Sequence, residues 1–526
     1  MSARALLIFL TALLVVFAVY RRSPSHFLRA ESGSYLILSH SDAQTRRASE
    51  IELVRYSFNG HYTPLAFLAE FRIARLIGTN GKIWRARQII VLALVAAGVF
   101  AFGRFVTGVF GVSASAASAT AAALAASVAF QPQMFDFISW PFMILQLLWI
   151  GLALLVVSAL LRFVAEPAAG RWLWIAAGAA YGSMHVSGLG LVLVGATAIV
   201  LGGILFIARR SGSPDFRPNT RLVSAALVAM LSLGAVHSGA MLLLEYGPPS
   251  PTPANASLDA ARYFLGFFWQ FAIAGLTSFL PAAVASTNGP TLAYLWPAGV
   301  LLLGALTWAL AALAARASVR PDRERLACFV LHAFSISAFC VLALLVVLRL
   351  RGVPAEELGD KLGNYTWGPR YVIPLHTTML GSFAVLVASI GRRAPRAAAV
   401  GFSALAITAI VAQAEFQQRA ARHLGPAASI SHDAAWQLVL AAARECRAQN
   451  LPIPDVPLSA LAQEFTETTL RSVEPLLRHD LKLRDGEAIE MIPWQEYTAA
   501  GRQRYRTVPA LKRLERKLGL LPSRKS

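Results

Sequence analysis

Residues 141 to 163 read PFMILQLLWIGLALLVVSALLRF, and their only charge is Arg162, one residue from the end. A helix that served a soluble core would show a polar stripe; this one has none, and about 20 apolar residues suffice to cross a hydrocarbon layer of roughly 30 Å. The same reading applies outward from it, at roughly 4 to 20, 88 to 110, 112 to 130, 172 to 184, 187 to 208, 222 to 244, 291 to 315, 326 to 349, 371 to 391 and 397 to 414. With no water to satisfy the backbone, such segments must be helices. The expected fold is therefore an all-α polytopic membrane protein of about 11 transmembrane helices. Composition agrees, with 56% apolar residues and a mean hydropathy of +0.55 over 526 residues. The start, Arg4 to Tyr20, looks like a signal but has no small-x-small site and ends on Arg21 and Arg22, so it reads as an uncleaved first helix.

The formal charge of +20 comes from 48 Lys and Arg against 28 Asp and Glu. Most of the arginines sit in short loops between apolar runs, which argues for lipid headgroups as partners and against nucleic acid. Short basic loops occur at Arg162 to Arg171, at Arg209 to Arg221, at Arg316 to Arg325 and at Arg392 to Arg396. All four fall on the cytoplasmic side, with the N-terminus inside, only if the aromatic segment 262 to 285 does not cross. That segment is expected to be interfacial or re-entrant. Two soluble parts then share the outer side: the first loop, 21 to 87, and the tail.

The division expected is a membrane domain over 1 to 415 and a small, mostly helical C-terminal domain over 416 to 526. Within the first loop, Leu65, Leu68, Phe71 and Leu76 have helical spacing and suit an interfacial helix. In the tail, Ala434 to Gln449 and Ser459 to Leu477 are the clearest helices, separated by Pro452, Pro454 and Pro457.

No Asp, Glu or Lys lies in the core of any expected span, which argues against an ion-coupled pump. The histidines at 185, 237, 332 and 376 read as helix-packing residues. Acids gather instead in the first loop, where Glu31, Asp42, Glu50 and Glu52 precede Asn59-Gly60-His61-Tyr62-Thr63-Pro64-Leu65. A carboxylate at the water boundary can take a proton from an acceptor hydroxyl. The plainer reading pairs these acids with Arg46, Arg47 and Arg55 on a solvated loop.

Architecture and short motifs together resemble the GT-C superfamily of membrane glycosyltransferases, which includes protein mannosyltransferases and lipid A aminoarabinose transferases. The matching elements are Ser39-His40-Ser41-Asp42 after the first helix, Gly60 to Leu65, Ala177 to Leu189 as two short helices around a small-residue turn, and Gly368-Pro369-Arg370-Tyr371-Val372-Ile373-Pro374 opening a late helix. The resemblance implies transfer of a sugar from a polyprenyl phosphate donor to an envelope glycan, lipid or protein, on the periplasmic face of a bacterial inner membrane. It makes Asp42 the general base or acceptor-orienting carboxylate, with Glu50 and Glu52 as alternatives. His61 and Tyr62 would contact the donor phosphate or acceptor, Arg370 with Tyr371 would hold the lipid phosphate, and Asp136 would help shape the site. The chain departs from the family in having no second acid beside Asp42. No cofactor is implied, and no motif specifies a divalent metal, Glu50-Ile51-Glu52 being a loose substitute for Asp-x-Asp. The competing functions are a transporter or flippase of lipid-linked sugar and a non-catalytic scaffold.

Overall fold

The computed structural model describes residues 3–57, 62–211, 216, 218–244, 258–277, 294–349, 369–424, 431–462, 468–484, 487–498 and 502–520. Within those helices, the side chains of 258–260, 276–277, 347–349, 369–370 and 420–424 lie outside the described set, as does that of residue 462.

The chain is an all-α polytopic membrane protein. Among the described residues, nine helices are long and apolar enough to cross a membrane. They are α1 (Ala3–Tyr20), α5 (Gly81–Val109), α8 (Ile144–Ala165, entered through a 3-10 turn at Pro141–Met143), α10 (Gly190–Ser211), α11 (Thr220–Leu243), α13 (Trp296–Val319), α14 (Arg323–Arg349), α15 (Pro369–Arg393) and α16 (Pro395–Leu424). Two further segments expected to cross are shorter helices, α6 (Ala114–Ala129) and α9 (Arg171–Met184). The remaining helices before the tail are α2 (Ala30–Ser39), α3 (Ala43–Arg55), α4 (Pro64–Ile77), α7 (Met134–Ser139) and α12 (Leu258–Thr277).

In the bundle, α14 lies against α8, α10 and α15, while α6 is held between α5 and α16. Small residues make the second packing possible. A Cβ added at Gly103 of α5 would stand 2.9 Å from the Ala121 Cα of α6, so the two backbones approach as only glycine and alanine allow.

The bundle has a capped end and a bare end. At the capped end, residues of the first loop and of the tail share one apolar core: Phe27, Leu36 and Phe71 pack with Trp436, Leu440 and Leu511, and Ile144 and Leu145 at the head of α8 join them. Both soluble segments therefore sit on the same end and form one cap. The described residues of all four basic loops lie at the other end. Helix α8 starts in the cap core and runs to Arg162, α11 returns so that the Leu244 carbonyl accepts from the Ser57 N–H at 2.7 Å, and α15 starts against α7 and ends with Arg392 bonded to Glu324 at the head of α14.

Helix α12 lies in the chain between the end of α11 and the start of α13, both on the capped side. It packs along α13 and α15, with Leu265 against Gly299 and with Phe268 and Phe271 on Phe339. Residues 278 to 285, the rest of the segment expected to be interfacial or re-entrant, lie outside the described residues.

The tail differs in detail from its sequence reading. Helix α16 runs through position 415 to Leu424, and α17 (His432–Ala448) matches the first expected tail helix. The second, 459 to 477, is not continuous. A turn of helix at Ser459–Ala462 is followed by an antiparallel bridge between Pro457 and Thr469, and helix resumes at α18 (Glu474–Leu481), before α19 (Pro509–Lys517). Strand β1 (Ile453–Pro454) pairs in parallel with β2 (Met491–Ile492), which the prolines at 452 and 454 confine to two residues.

Candidate functional site

Charged residues are only 14% of this chain, so a buried layer of them at the seam between cap and bundle marks the candidate site. Leaving α1, the chain crosses the seam with the His26 N–H donating to the Ser139 carbonyl at 2.7 Å, then turns sharply into α2. At that turn Ala30 has φ 44°, a left-handed conformation that an alanine adopts only at a cost. Gly33 follows so closely on Leu28 that any Cβ there would collide with the Leu28 carbonyl. The turn sets Arg29 and Glu31 at the bundle surface.

Arg29 forms an ion pair with Asp136 of α7, the two side chains being only 15% and 20% exposed. Its guanidinium lies 4.3 Å from the centre of the Trp140 ring, and its Nε has no hydrogen-bond partner among the described residues. A charge-assisted bond and a cation–π contact together fix the plane of the guanidinium. The segment carrying Asp136 is held in turn by Gln88, whose Nε2 donates to the Phe137 and Trp140 carbonyls at 2.8 and 3.1 Å.

A second pair lies beside the first. Glu70 of α4 accepts from Arg87 of α5 at 2.8 Å, with side chains 8% and 15% exposed, and Arg87 also donates to the Pro141 carbonyl at 3.1 Å. Burial pushes Glu70 above the usual carboxylate range, against the pull of Arg87. Burial, together with the charges of Glu31 and Glu70, pushes the Tyr35 hydroxyl upward as well, so these acids converge on one side of α2. The seam thus holds Arg29, Glu31, Glu70, Arg87 and Asp136 in a narrow layer.

The residues singled out in the sequence are spread more widely. Asp42 is fully exposed and caps α3, its carboxylate accepting from the Gln44 N–H at 2.9 Å, the Thr45 N–H at 3.0 Å and the Thr45 hydroxyl at 2.6 Å. These bonds hold it below the usual carboxylate range. Glu50 pairs with Arg72 at 3.4 Å beside an open groove of about 430 Å³ between α3 and α4, and Glu52 is exposed on α3. Tyr62 meets His237 edge to face, with ring centres 5.4 Å apart, and its hydroxyl donates to the Val54 carbonyl at 3.4 Å. His237 in turn meets His185 at 4.8 Å, so the Gly60-to-Leu65 and Ala177-to-Leu189 motifs come together. His61 lies outside the described residues. Arg370 is in the first turn of α15 with its side chain outside the described set, and Tyr371 is buried in the bundle core.

Of the expected site residues whose side chains are described, only Asp136 belongs to the charged seam. Sequence reasoning passed over Arg29, Glu70 and Arg87 as site residues. Glu70 carried a signal, since it lies three residues after Phe67 and four before Ala74, on the stripe that α4 buries. The interfacial reading had chosen a different stripe, of which Leu65 and Leu76 are 66% and 86% exposed.

Among the described residues, no three His, Cys, Asp or Glu side chains gather to hold a metal ion. No family model matches the chain, and neither a curated protein nor a solved structure matches it.

Proposed function

We propose that the chain is a glycosyltransferase of the GT-C kind that moves a sugar from a polyprenyl phosphate donor to an envelope acceptor. In this reading the bundle makes eleven crossings and the N-terminus is cytoplasmic, while the cap faces the periplasm. Gathering all four basic loops at the bare end supports that orientation.

The observation that carries the reading is the Arg29–Asp136 pair, with Arg29 over the Trp140 ring, at the seam of cap and bundle; in this reading the seam is the level where a lipid-linked phosphate and a water-soluble acceptor meet. A donor phosphate would take the guanidinium from Asp136 and so release its carboxylate. Asp136 then accepts the proton of an acceptor hydroxyl, the acceptor oxygen attacks the anomeric carbon, and the bond from that carbon to the phosphate oxygen breaks. The electron pair leaves on the phosphate, where Arg29 stabilises the developing charge. Attack opposite the leaving group inverts the anomeric configuration. Asp42 spends its carboxylate on the cap of α3, which supports giving the proton-accepting role to Asp136.

The test is reconstitution of purified protein in liposomes with a labelled polyprenyl phosphate sugar and a mixture of envelope acceptors. Release of polyprenyl phosphate with transfer of label is expected. Movement of the labelled lipid across the bilayer without release would overturn the reading in favour of a transporter.

A further inference from the structure

The open groove of about 430 Å³ between α3 and α4 joins two kinds of residue that a water-facing loop does not need together: Ile51, Val54 and Leu68 with Arg47, Arg55 and Arg72. Among the described residues that line it, Glu50 is the one acid, and it bonds Arg72 at 3.4 Å. Arg55 lies 5.3 Å from the centre of the Tyr56 ring, and neither Arg47 nor Arg55 forms an ion pair among the described residues. Two of the three arginines are therefore unmatched by an acid. The apolar surface continues beyond the groove, since Ile51 and Val54 of α3 and Leu65 and Leu76 of α4 are all exposed. Large apolar side chains interleaved with arginines suit a lipid interface, where the arginines reach phosphates while the apolar groups enter the acyl boundary.

Position says what covers this surface. Helix α3 is followed by Ser57, whose N–H donates to the Leu244 carbonyl just past α11, and α4 begins after Tyr62, which meets His237 of that same helix. The groove reaches this corner through Val54, whose carbonyl accepts from the Tyr62 hydroxyl. Halfway along α4, Glu70 bonds Arg87 of α5. Helix α4 thus spans the capped end of the bundle from α11 to α5, at the level where membrane helices leave the hydrocarbon. Beside its start, α11 exposes Leu242 and Leu243, on a helix long and apolar enough to cross a membrane. The groove therefore adjoins a lipid-facing flank. Helix α19 makes the contrast: it exposes Lys512, Arg513, Arg516 and Lys517 and no large apolar side chain, as a face that stays in water should.

We infer that the α3–α4 groove docks an anionic phospholipid of the leaflet on the capped side. The arginine rim takes the headgroup phosphate, and the first methylenes lie over Ile51, Val54 and Leu68. Charge selects the lipid, because a zwitterionic headgroup brings its own cation to the rim and an anionic one does not. Glu50 works against the ligand by holding Arg72. Docking here adds α3 and a charge preference to an interfacial α4, and it holds whether or not the chain transfers a sugar.

The experiment uses the full chain in phosphatidylcholine nanodiscs doped with a photoactivatable phosphatidylglycerol or with a phosphatidylcholine that carries the same diazirine near its glycerol backbone. Labelled peptides are read by mass spectrometry as the ratio of residues 47–55 and 65–76 to the flank of α11 at 236–243, so that partial loss of folded protein cancels. Phosphatidylglycerol should exceed phosphatidylcholine by about 30-fold, the effect of two arginines at a lipid surface. Arg47→Gln combined with Arg55→Gln should bring the two probes level. Glu50→Gln should raise the preference about fivefold, a gain that misfolding does not produce. Lys512→Gln combined with Arg513→Gln, which removes the same charge from α19, should leave it unchanged. Equal ratios for the two probes, groove labelling no higher than that of α19, a preference that falls in Glu50→Gln, or displacement of the lipid by free glycerol phosphate would overturn the inference.

Discussion

The cap and the bundle bury similar side chains for different reasons. In the cap, Phe71, Trp436 and Leu511 leave water when the first loop closes on the tail, so the hydrophobic effect drives their contact. In the bundle, Trp149 and Phe329 leave lipid for protein, and what holds them is close packing between helices whose contacts are small residues. The seam between the two is where buried charge is tolerated, because each guanidinium there meets a carboxylate and a second partner, the Pro141 carbonyl for Arg87 and the Trp140 ring for Arg29. A membrane protein that must handle a charged substrate has its best place for it at that level.

The largest predicted effect breaks the cap alone. Trp436 is fully buried and its indole N–H donates to Asp480 at 2.7 Å, while Asp480 also accepts from Thr79 of the first loop at 2.5 Å. Trp436→Ala should cost about 3–5 kcal/mol. Limited proteolysis should then remove the tail from residue 432 onward while the membrane helices stay intact.

The bundle should break differently. Gly103→Leu forces a side chain against the Ala121 backbone and should destabilise by about 1–3 kcal/mol, lowering the thermal transition in detergent without exposing the tail to protease. If both variants loosened the same part of the molecule, the distinction between the two cores would fall.

A smaller effect should follow pH. Two histidine pairs join first loop to tail: His26 with His432 at 4.9 Å between ring centres, and His40 with His479 at 4.6 Å. His432 is fully buried and its Nδ1 accepts from the Leu28 N–H at 3.0 Å, a bond that needs the neutral ring. Burial, with His26 and Arg29 nearby, holds His432 well below the ordinary histidine value. His40 is also held low, by burial first and then by His479 and Arg75, although the Leu36 carbonyl and Asp480 oppose this. With native values depressed, the opened cap binds protons that the closed cap refuses. Closure is therefore favoured above the ordinary histidine value of about 6.5 and weakens as pH falls below it. Protease sensitivity of the tail should rise between about pH 7 and pH 5, and His432→Asn, which keeps an acceptor but does not titrate, should flatten that rise.

The smallest effect is expected at Asp42. Asp42→Ala removes the cap of α3 and should speed amide exchange at Gln44 and Thr45, while sugar transfer changes by less than about twofold.

Long apolar runs were enough to place nine helices long and apolar enough to cross a membrane, because lipid imposes one rule on every residue of a span. Arginine position was enough to put the first loop and tail on one end. The seam was harder to read, since its pairs join residues far apart in the chain: Arg29 with Asp136, Glu70 with Arg87, Leu28 with His432. Spacing within one segment carries no record of such pairings. Asp42 stood out as the acid of the family-like motif Ser39-His40-Ser41-Asp42, yet Ser-Asp before a helix is also an ordinary N-cap, and that is the use the fold makes of it. Glu70 was the legible exception, a charge on the buried stripe of an amphipathic helix.

The most direct measurement of the account is polyprenyl phosphate release by Asp136→Asn set beside Asp42→Asn, in the reconstituted assay with both proteins shown to be folded by tail protection from protease. Asp136→Asn keeps the shape of the seam but cannot take a proton, and release should fall by about 100-fold or more, the size of a lost general base. Asp42→Asn should retain near-native release. Loss of release in Asp42→Asn with retention in Asp136→Asn would contradict the assignment of chemistry to the seam.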